Sequence, residues 1–266
     1  MKITANGIEI HYTLAGDGPV VTLSHSLACN LSMWDDQLPA LTTRYRVLNF
    51  DTRGHGQSGT PPGEYSLEQL AEDTYGLLTG LGIRETHFVG LSMGGMIGQF
   101  LALAHPEMVR SLTLCDTTSH FPGNVWPVWE ERIRAVEKKG MEAVVDATLQ
   151  RWFTARFRAR RPDAVDRIRA AILNTPVQGY VGCSYGIPKI NVTDRLHAIG
   201  CPALVIVGEE DPATTVEMAR TLHAALPSAE LAILRSAAHL SNIEQREEFN
   251  KVLLGFLDRV TGRTSL

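Results

Sequence analysis

Apolar residues along the chain follow two rhythms. Residues 3–5 and 8–14 alternate apolar and polar positions on either side of Asn6-Gly7, the pattern of an antiparallel hairpin closed by a tight turn. Residues 20–23 form a continuous apolar run, as expected of a strand buried on both faces. Residues 46–50 read as a second buried strand, and residues 86–91, 109–115, 202–207 and 229–234 as further strands. Between them apolar positions recur at helical spacing. One such stretch carries Met33, Trp34, Leu38 and Leu41, with Ser32 as a candidate cap, and a second covers residues 66–81. Others follow at 96–104, 216–226 and about 244–260.

Strands alternating with helices imply right-handed crossovers and an α/β architecture, with a mainly parallel sheet covered on both faces. The alternation stops near residue 121. Residues 121–192 read as helical, with proline breaks at Pro127, Pro162, Pro176 and Pro188. This predicts a core of residues 1–120 and 193–266 with a helical cap inserted at 121–192. A chain of 266 residues, 44% hydrophobic, is long enough to fill a sizeable core in this arrangement.

Charge separates the two parts. The inserted segment holds twelve Lys and Arg against seven Asp and Glu, whereas the whole chain carries −4. Arg156, Arg158, Arg160, Arg161, Arg167 and Arg169 are expected to form mostly a solvated helix face, although a cationic cap would also suit an anionic substrate. The acidic balance gives no reason to expect nucleic acid or an anionic membrane as a partner. The first residues lack a signal-peptide core, no apolar run approaches a membrane span, and Cys29, Cys115, Cys183 and Cys201 have no paired spacing. A cytoplasmic protein with free thiols and neither metal nor other cofactor is expected, its oligomeric state undetermined.

Gly90-Leu91-Ser92-Met93-Gly94 joins the strand at 86–91 to the following helix. A serine between glycines at a strand-to-helix turn has the form of a nucleophile elbow, in which strained backbone presents the hydroxyl. Such a serine needs a base, normally histidine, and a carboxylate behind it. In a sheet of this kind they come from strand-end loops in the order serine, acid, histidine. Gly208-Glu209-Glu210-Asp211 follows one strand and Ala237-Ala238-His239 another, making Asp211 and His239 the partners of Ser92. Glu209, Glu210 and Asp116 are rival acids, and His55 is a rival base whose place in the chain breaks that order. His11, His87, His105, His120, His197 and His223 read as surface or helix-end residues. The backbone N–H groups of Leu27 and Met93 are the expected oxyanion donors. Cys29 is expected to pack rather than react.

Together with Asp51-Thr52-Arg53-Gly54-His55-Gly56-Gln57-Ser58, these motifs resemble the α/β-hydrolase superfamily along essentially the whole chain. A closer similarity is to the 3-oxoadipate enol-lactonases of the β-ketoadipate pathway of aromatic catabolism. It is carried by His25-Ser26-Leu27, Leu31-Ser32-Met33-Trp34, Arg151-Trp152-Phe153-Thr154 and the segment Ser236-Ala237-Ala238-His239-Leu240-Ser241-Asn242-Ile243-Glu244. The chain departs from that family at Ala28, where glycine is usual, and at Cys115-Asp116-Thr117-Thr118.

The resemblance implies a serine hydrolase acting on a small ester or lactone through an acyl-enzyme. Arg151, Trp152 and Trp129 are the candidate substrate contacts, Arg151 for a carboxylate. A general carboxylesterase with perhydrolase side activity is the alternative, and a non-catalytic ligand-binding member of the fold a third reading. Trp126, Phe153, Phe157, Tyr180 and Tyr185 are more simply read as the core of the cap.

Overall fold

A computed structural model describes residues 1–263. Eight strands form one sheet: β1 (Lys2–Ala5), β2 (Ile8–Ala15), β3 (Val20–Ser24), β4 (Arg46–Phe50), β5 (Thr86–Leu91), β6 (Val109–Cys115), β7 (Ala203–Gly208) and β8 (Ala229–Leu234), in the order β1-β2-β4-β3-β5-β6-β7-β8. β1 and β2 form the expected hairpin across Asn6-Gly7, and β2 pairs antiparallel with β4. All remaining pairings are parallel. Every residue of β5 and of β7 is buried; β7 is accordingly apolar throughout, while in β5 the buried polar residues Thr86 and His87 are hydrogen-bonded.

The helices are α1 (Leu38–Leu41), α2 (Leu67–Gly80), α3 (Met93–Ala104), α4 (Trp126–Lys139), α5 (Val145–Trp152), α6 (Ala155–Arg160), α7 (Pro162–Leu173), α8 (Val177–Gly186), α9 (Val216–Ala225), α10 (Ser241–Glu244) and α11 (Arg246–Thr261). Ser66 caps α2 by accepting from the N–H of Gln69. Chain direction across the sheet reverses at β3: β4 lies on one side of it and β5 on the other. The crevice beyond the carboxyl ends of β3 and β5 is therefore where an open α/β sheet gathers ligands.

Several local expectations need correction. The helix around Met33 and Leu41 is two short pieces, a 3-10 turn at Leu31–Trp34 and then α1. Asn30, not Ser32, caps the first by accepting from the Ser32 N–H. The proline breaks fall between helices, as expected: Pro162 separates α6 from α7 and, like Pro127 in α4, occupies a helix's first turn, where the missing N–H costs nothing. Pro176 likewise precedes α8. The final helix, α11, runs as expected, and Gln245, with a φ of −119° and a ψ of 47°, separates it from the short α10 before it. His87 is buried in β5 beside Ser111 rather than at the surface. The arginine row is also less free than expected. Arg167 pairs with Asp36, Arg169 with Asp146 and Arg161 with Asp163, while Arg158 donates to the carbonyl of Phe153.

Candidate active site

At the end of β5 the chain enters α3 through Ser92, which has a φ of 56° and a ψ of −114°, a conformation rare for any residue but glycine. The turn is held from both sides. Ser92 donates its N–H to the Cys115 carbonyl at 2.9 Å, and Thr117 donates its hydroxyl to the Ser92 carbonyl at 2.7 Å. A Cβ on Gly90 would lie 2.2 Å from the Gly94 carbonyl oxygen, and one on Gly94 would lie 2.2 Å from that of Ser24. Backbone approaches this close admit only glycine, which is why the serine is bracketed by it.

Asp211 lies in the loop after β7, and His239 in the loop after β8. His239 Nδ1 is 2.8 Å from Asp211 Oδ2. This geometry makes Nδ1 the protonated nitrogen and leaves Nε2 as the basic one. Asp211 also accepts from the Thr214 hydroxyl at 2.6 Å and the Ala213 N–H at 2.8 Å. Burial works against both charges, but each partner stabilises the other. The His239 pKa is held above the ordinary histidine value and that of Asp211 below the ordinary carboxylate value.

A cavity of about 290 Å³ lies over these strand ends, beneath the helices inserted between β6 and β7. Ser92, His239, Leu27, Trp129, Arg151 and Trp152 all line it. Met93 does not; it is fully buried at the first turn of α3. The backbone N–H groups of Leu27 and Met93 donate to no other group among the described residues. Rivals for the acid and base positions lie elsewhere. Glu209 and Glu210 are exposed, and His55 is buried and hydrogen-bonded to backbone at both ring nitrogens. A larger cavity of about 510 Å³ at the outer surface, lined by Arg156, Arg160 and Arg246 among others, contains none of the candidate residues.

Three further features bear on the site, of which only Asp116, as a rival acid, is singled out by the sequence as a candidate for chemistry. Arg132, on α4, also lines the cavity and lies over the Trp129 ring at 5.2 Å. Its spacing of three from Trp129 on a helix was the available signal. Burial, reinforced by the nearby charge of Arg132, lowers the pKa of Arg151, and neither arginine has a salt bridge among the described residues. Asp116 is a second fully buried carboxyl, accepting from the Gly208 N–H at 2.8 Å and paired with the Ser241 hydroxyl at 2.5 Å. Burial, then the charge of Asp211, pushes its pKa well above the usual carboxylate range. Finally, the buried hydroxyl of Ser26, also on the cavity lining, has no hydrogen-bond partner among the described residues.

The doubly covered sheet, the reversed strand order at β3 and the serine elbow at the end of β5 define the class, and the chain belongs to the α/β-hydrolase family, whose model matches residues 19–245. Among its relatives is a 3-oxoadipate enol-lactonase of Acinetobacter baylyi, 34% identical over 97% of this chain and 96% of that protein. The enol-lactonase of Burkholderia xenovorans LB400 superposes with a TM-score of 0.93 at 38% identity, covering 97% of this chain and 99% of that one. A thermophilic esterase from Thermogutta terrifontis, solved with malate bound, gives a TM-score of 0.91 at 29% identity, covering 98% of each chain.

Proposed function

We propose that the chain is a serine hydrolase for small carboxylic esters or lactones that carry an anionic group, with 3-oxoadipate enol-lactone the leading candidate. The observation that carries this reading is a single cavity lined by Ser92, by the Asp211-supported His239 and by two arginines without carboxylate partners among the described residues. The enol-lactonases among its relatives point the same way.

In this mechanism Ser92 Oγ attacks the carbonyl carbon and its proton passes to His239 Nε2. Asp211 holds the imidazole in the required tautomer and stabilises its charge. The Leu27 and Met93 N–H groups receive the oxyanion. Collapse of the tetrahedral intermediate expels the ester oxygen, which His239 protonates. In a lactone that oxygen stays tethered to the acyl chain. Water, deprotonated by His239, then cleaves the acyl-enzyme and returns the proton to Ser92. Residues 121–192 serve as the cap, placing Arg151, Trp152, Trp129 and Arg132 around the acyl group, while residues 1–120 and 193–266 form the catalytic core.

A charge-assisted hydrogen bond of ~1.5–3 kcal/mol corresponds to roughly ten- to hundredfold in binding. Arg151→Met and Arg132→Met should therefore each raise KM for an anionic lactone by about that factor while changing KM for a neutral p-nitrophenyl ester little. Unchanged KM values for the anionic lactone in both variants contradict the anionic reading. The apolar part of the lining, with Met96, Phe121, Ile187 and Met218, favours a second reading, a general carboxylesterase. It predicts higher kcat/KM on neutral aryl esters than on the lactone.

A further inference from the structure

Glu244, at the end of α10, is not among the groups that line the catalytic cavity. Its carboxylate nevertheless ties together two segments that do. Oε1 accepts from the Ala238 N–H at 2.9 Å, immediately before His239, and from the Thr154 N–H at 3.0 Å. Oε2 accepts from the Thr154 hydroxyl at 2.7 Å. Thr154 in turn caps α6 by accepting from the Phe157 N–H, so one side chain sets the start of that helix and its link to the core.

The joint has a second stitch. Leu240, immediately after His239, donates its N–H to the Trp152 carbonyl at 3.1 Å. The rings of Trp152 and His239 lie 6.0 Å apart, centroid to centroid. The segment Trp152-Phe153-Thr154 of the inserted helices is thus bonded on both sides of His239. Among the described residues, every side-chain hydrogen bond linking these two segments ends on Glu244, which is half-buried, where each unmet N–H would be costly.

We propose that Glu244 is a positioning residue: by gripping Ala238 and Thr154 together, it fixes the His239 imidazole against Ser92 and holds the Trp152 wall of the cavity at the same time. The proposal rests on the reading of His239 as the general base. It follows that the inserted helices are pinned to the core at the end of α5, beside the histidine.

The two roles separate kinetically. Loss of histidine alignment lowers kcat on any ester, because small displacements of a catalytic group reduce rate steeply. Loosening of the Trp152 wall raises KM only for acyl groups long enough to touch it. Glu244→Gln keeps one oxygen to accept both N–H groups and offers an NH2 to the Thr154 hydroxyl, which can accept. It should therefore restore most of what Glu244→Ala loses.

The test is steady-state kinetics on p-nitrophenyl acetate and p-nitrophenyl hexanoate for E244A, E244Q, T154A, T154S and the E244A/T154A double variant, with circular dichroism confirming the fold at the assay temperature. We expect E244A to lower kcat about tenfold or more on both esters. E244Q and T154S should stay within about threefold of the parent, T154A should raise KM for the hexanoate, and the double variant should be no worse than E244A alone. A folded E244A with parental kcat, an E244Q as impaired as E244A, or single-variant effects that multiply in the double variant each overturn the proposal. If E244A does not fold, the Thr154 pair decides, and a T154A with parental KM on the hexanoate overturns it. Ser92→Ala is assayed alongside: activity there removes the general-base reading itself, independently of how the Glu244 variants behave.

Discussion

The backbone N–H of Ala28 donates to Nε2 of His55 at 3.0 Å, a contact spanning 27 residues of chain that anchors the loop carrying Leu27. His25 mirrors it, with Nε2 accepting from the Thr52 N–H at 3.0 Å and Nδ1 donating to the Ser26 carbonyl at 2.7 Å. Both bonds require neutral imidazoles. Burial lowers both pKa values, that of His55 to about 3, with the neighbouring His25 adding to the effect there.

A group whose folded pKa lies below its unfolded value contributes stability above the unfolded pKa, and that stability is lost as pH falls. For these histidines the loss begins below about pH 6.5 and approaches about 1.4 kcal/mol per pH unit for each. His55→Gln keeps an acceptor for the Ala28 N–H but cannot be protonated there. Urea unfolding across a pH series should show a shallower acid slope in this variant, by about 1.4 kcal/mol per unit. Equal slopes would show that His55 protonation does not limit acid stability.

Ala28 itself has a φ of 59°, the left-handed region that costs a residue with a Cβ about 1–2 kcal/mol. Glycine there removes the strain but adds about 0.5–1 kcal/mol of unfolded-chain entropy. Ala28→Gly should accordingly be neutral or up to about 1 kcal/mol more stable by urea unfolding, while Ala28→Val loses more than that. A clearly destabilised glycine variant refutes this account of the loop.

The two buried carboxyls near His239 should behave differently. Asp211 bonds directly to the imidazole, whereas Asp116 accepts from the Gly208 N–H and the Ser241 hydroxyl, with burial and the Asp211 charge pushing its pKa up. Asp211→Asn is expected to lower kcat by about three to four orders of magnitude. Asp116→Asn keeps an acceptor for the Gly208 N–H and turns an NH2 toward the Ser241 hydroxyl, which can accept instead of donating, and should retain kcat. Because a buried carboxyl whose folded pKa is raised destabilises the fold as pH rises above its unfolded pKa, this variant should also melt at higher temperature near neutral pH. Full activity in Asp211→Asn would transfer the acid role away from it.

With His239 as the proposed general base, turnover needs its neutral form, and Asp211 stabilises its charged form. The kcat/KM for a neutral ester should rise about tenfold per pH unit and level off above an inflection lying higher than about 6.5. The pair's contribution to stability has the opposite sense: it is fully present below about pH 6.5 and fades as pH rises through the folded His239 pKa. An inflection well below that of ordinary histidine contradicts the stabilising partner.

Much of this was legible in the sequence because local chemistry and chain order carry it. The hairpin at Asn6-Gly7 and the apolar runs of β5, β6 and β8 predict those strands, and the glycines around Ser92 announce a turn that only glycine permits. Asp211 and His239 follow from the order in which strand ends supply their loops. Arg132 and Glu244 carry no role legible in the sequence, and Asp116 is legible only as a rival acid, because each depends on packing between distant segments, such as Glu244 reaching Thr154 across 90 residues. The prolines of the inserted segment mark helix boundaries, but which side of each boundary they occupy is not legible. Proline suits a helix's first turn and disrupts its interior, and the sequence pattern alone did not distinguish the two.

The central claim is that Ser92 forms the covalent intermediate. Rapid mixing with p-nitrophenyl acetate, followed by an acid quench and peptide mass spectrometry, tests it most directly. The account predicts one acetyl group per chain on the peptide containing Ser92 and none in Ser92→Ala, whose turnover falls to the residual left by binding and the oxyanion donors. Near-parental turnover by Ser92→Ala, or an acetyl group found on another side chain, would contradict it.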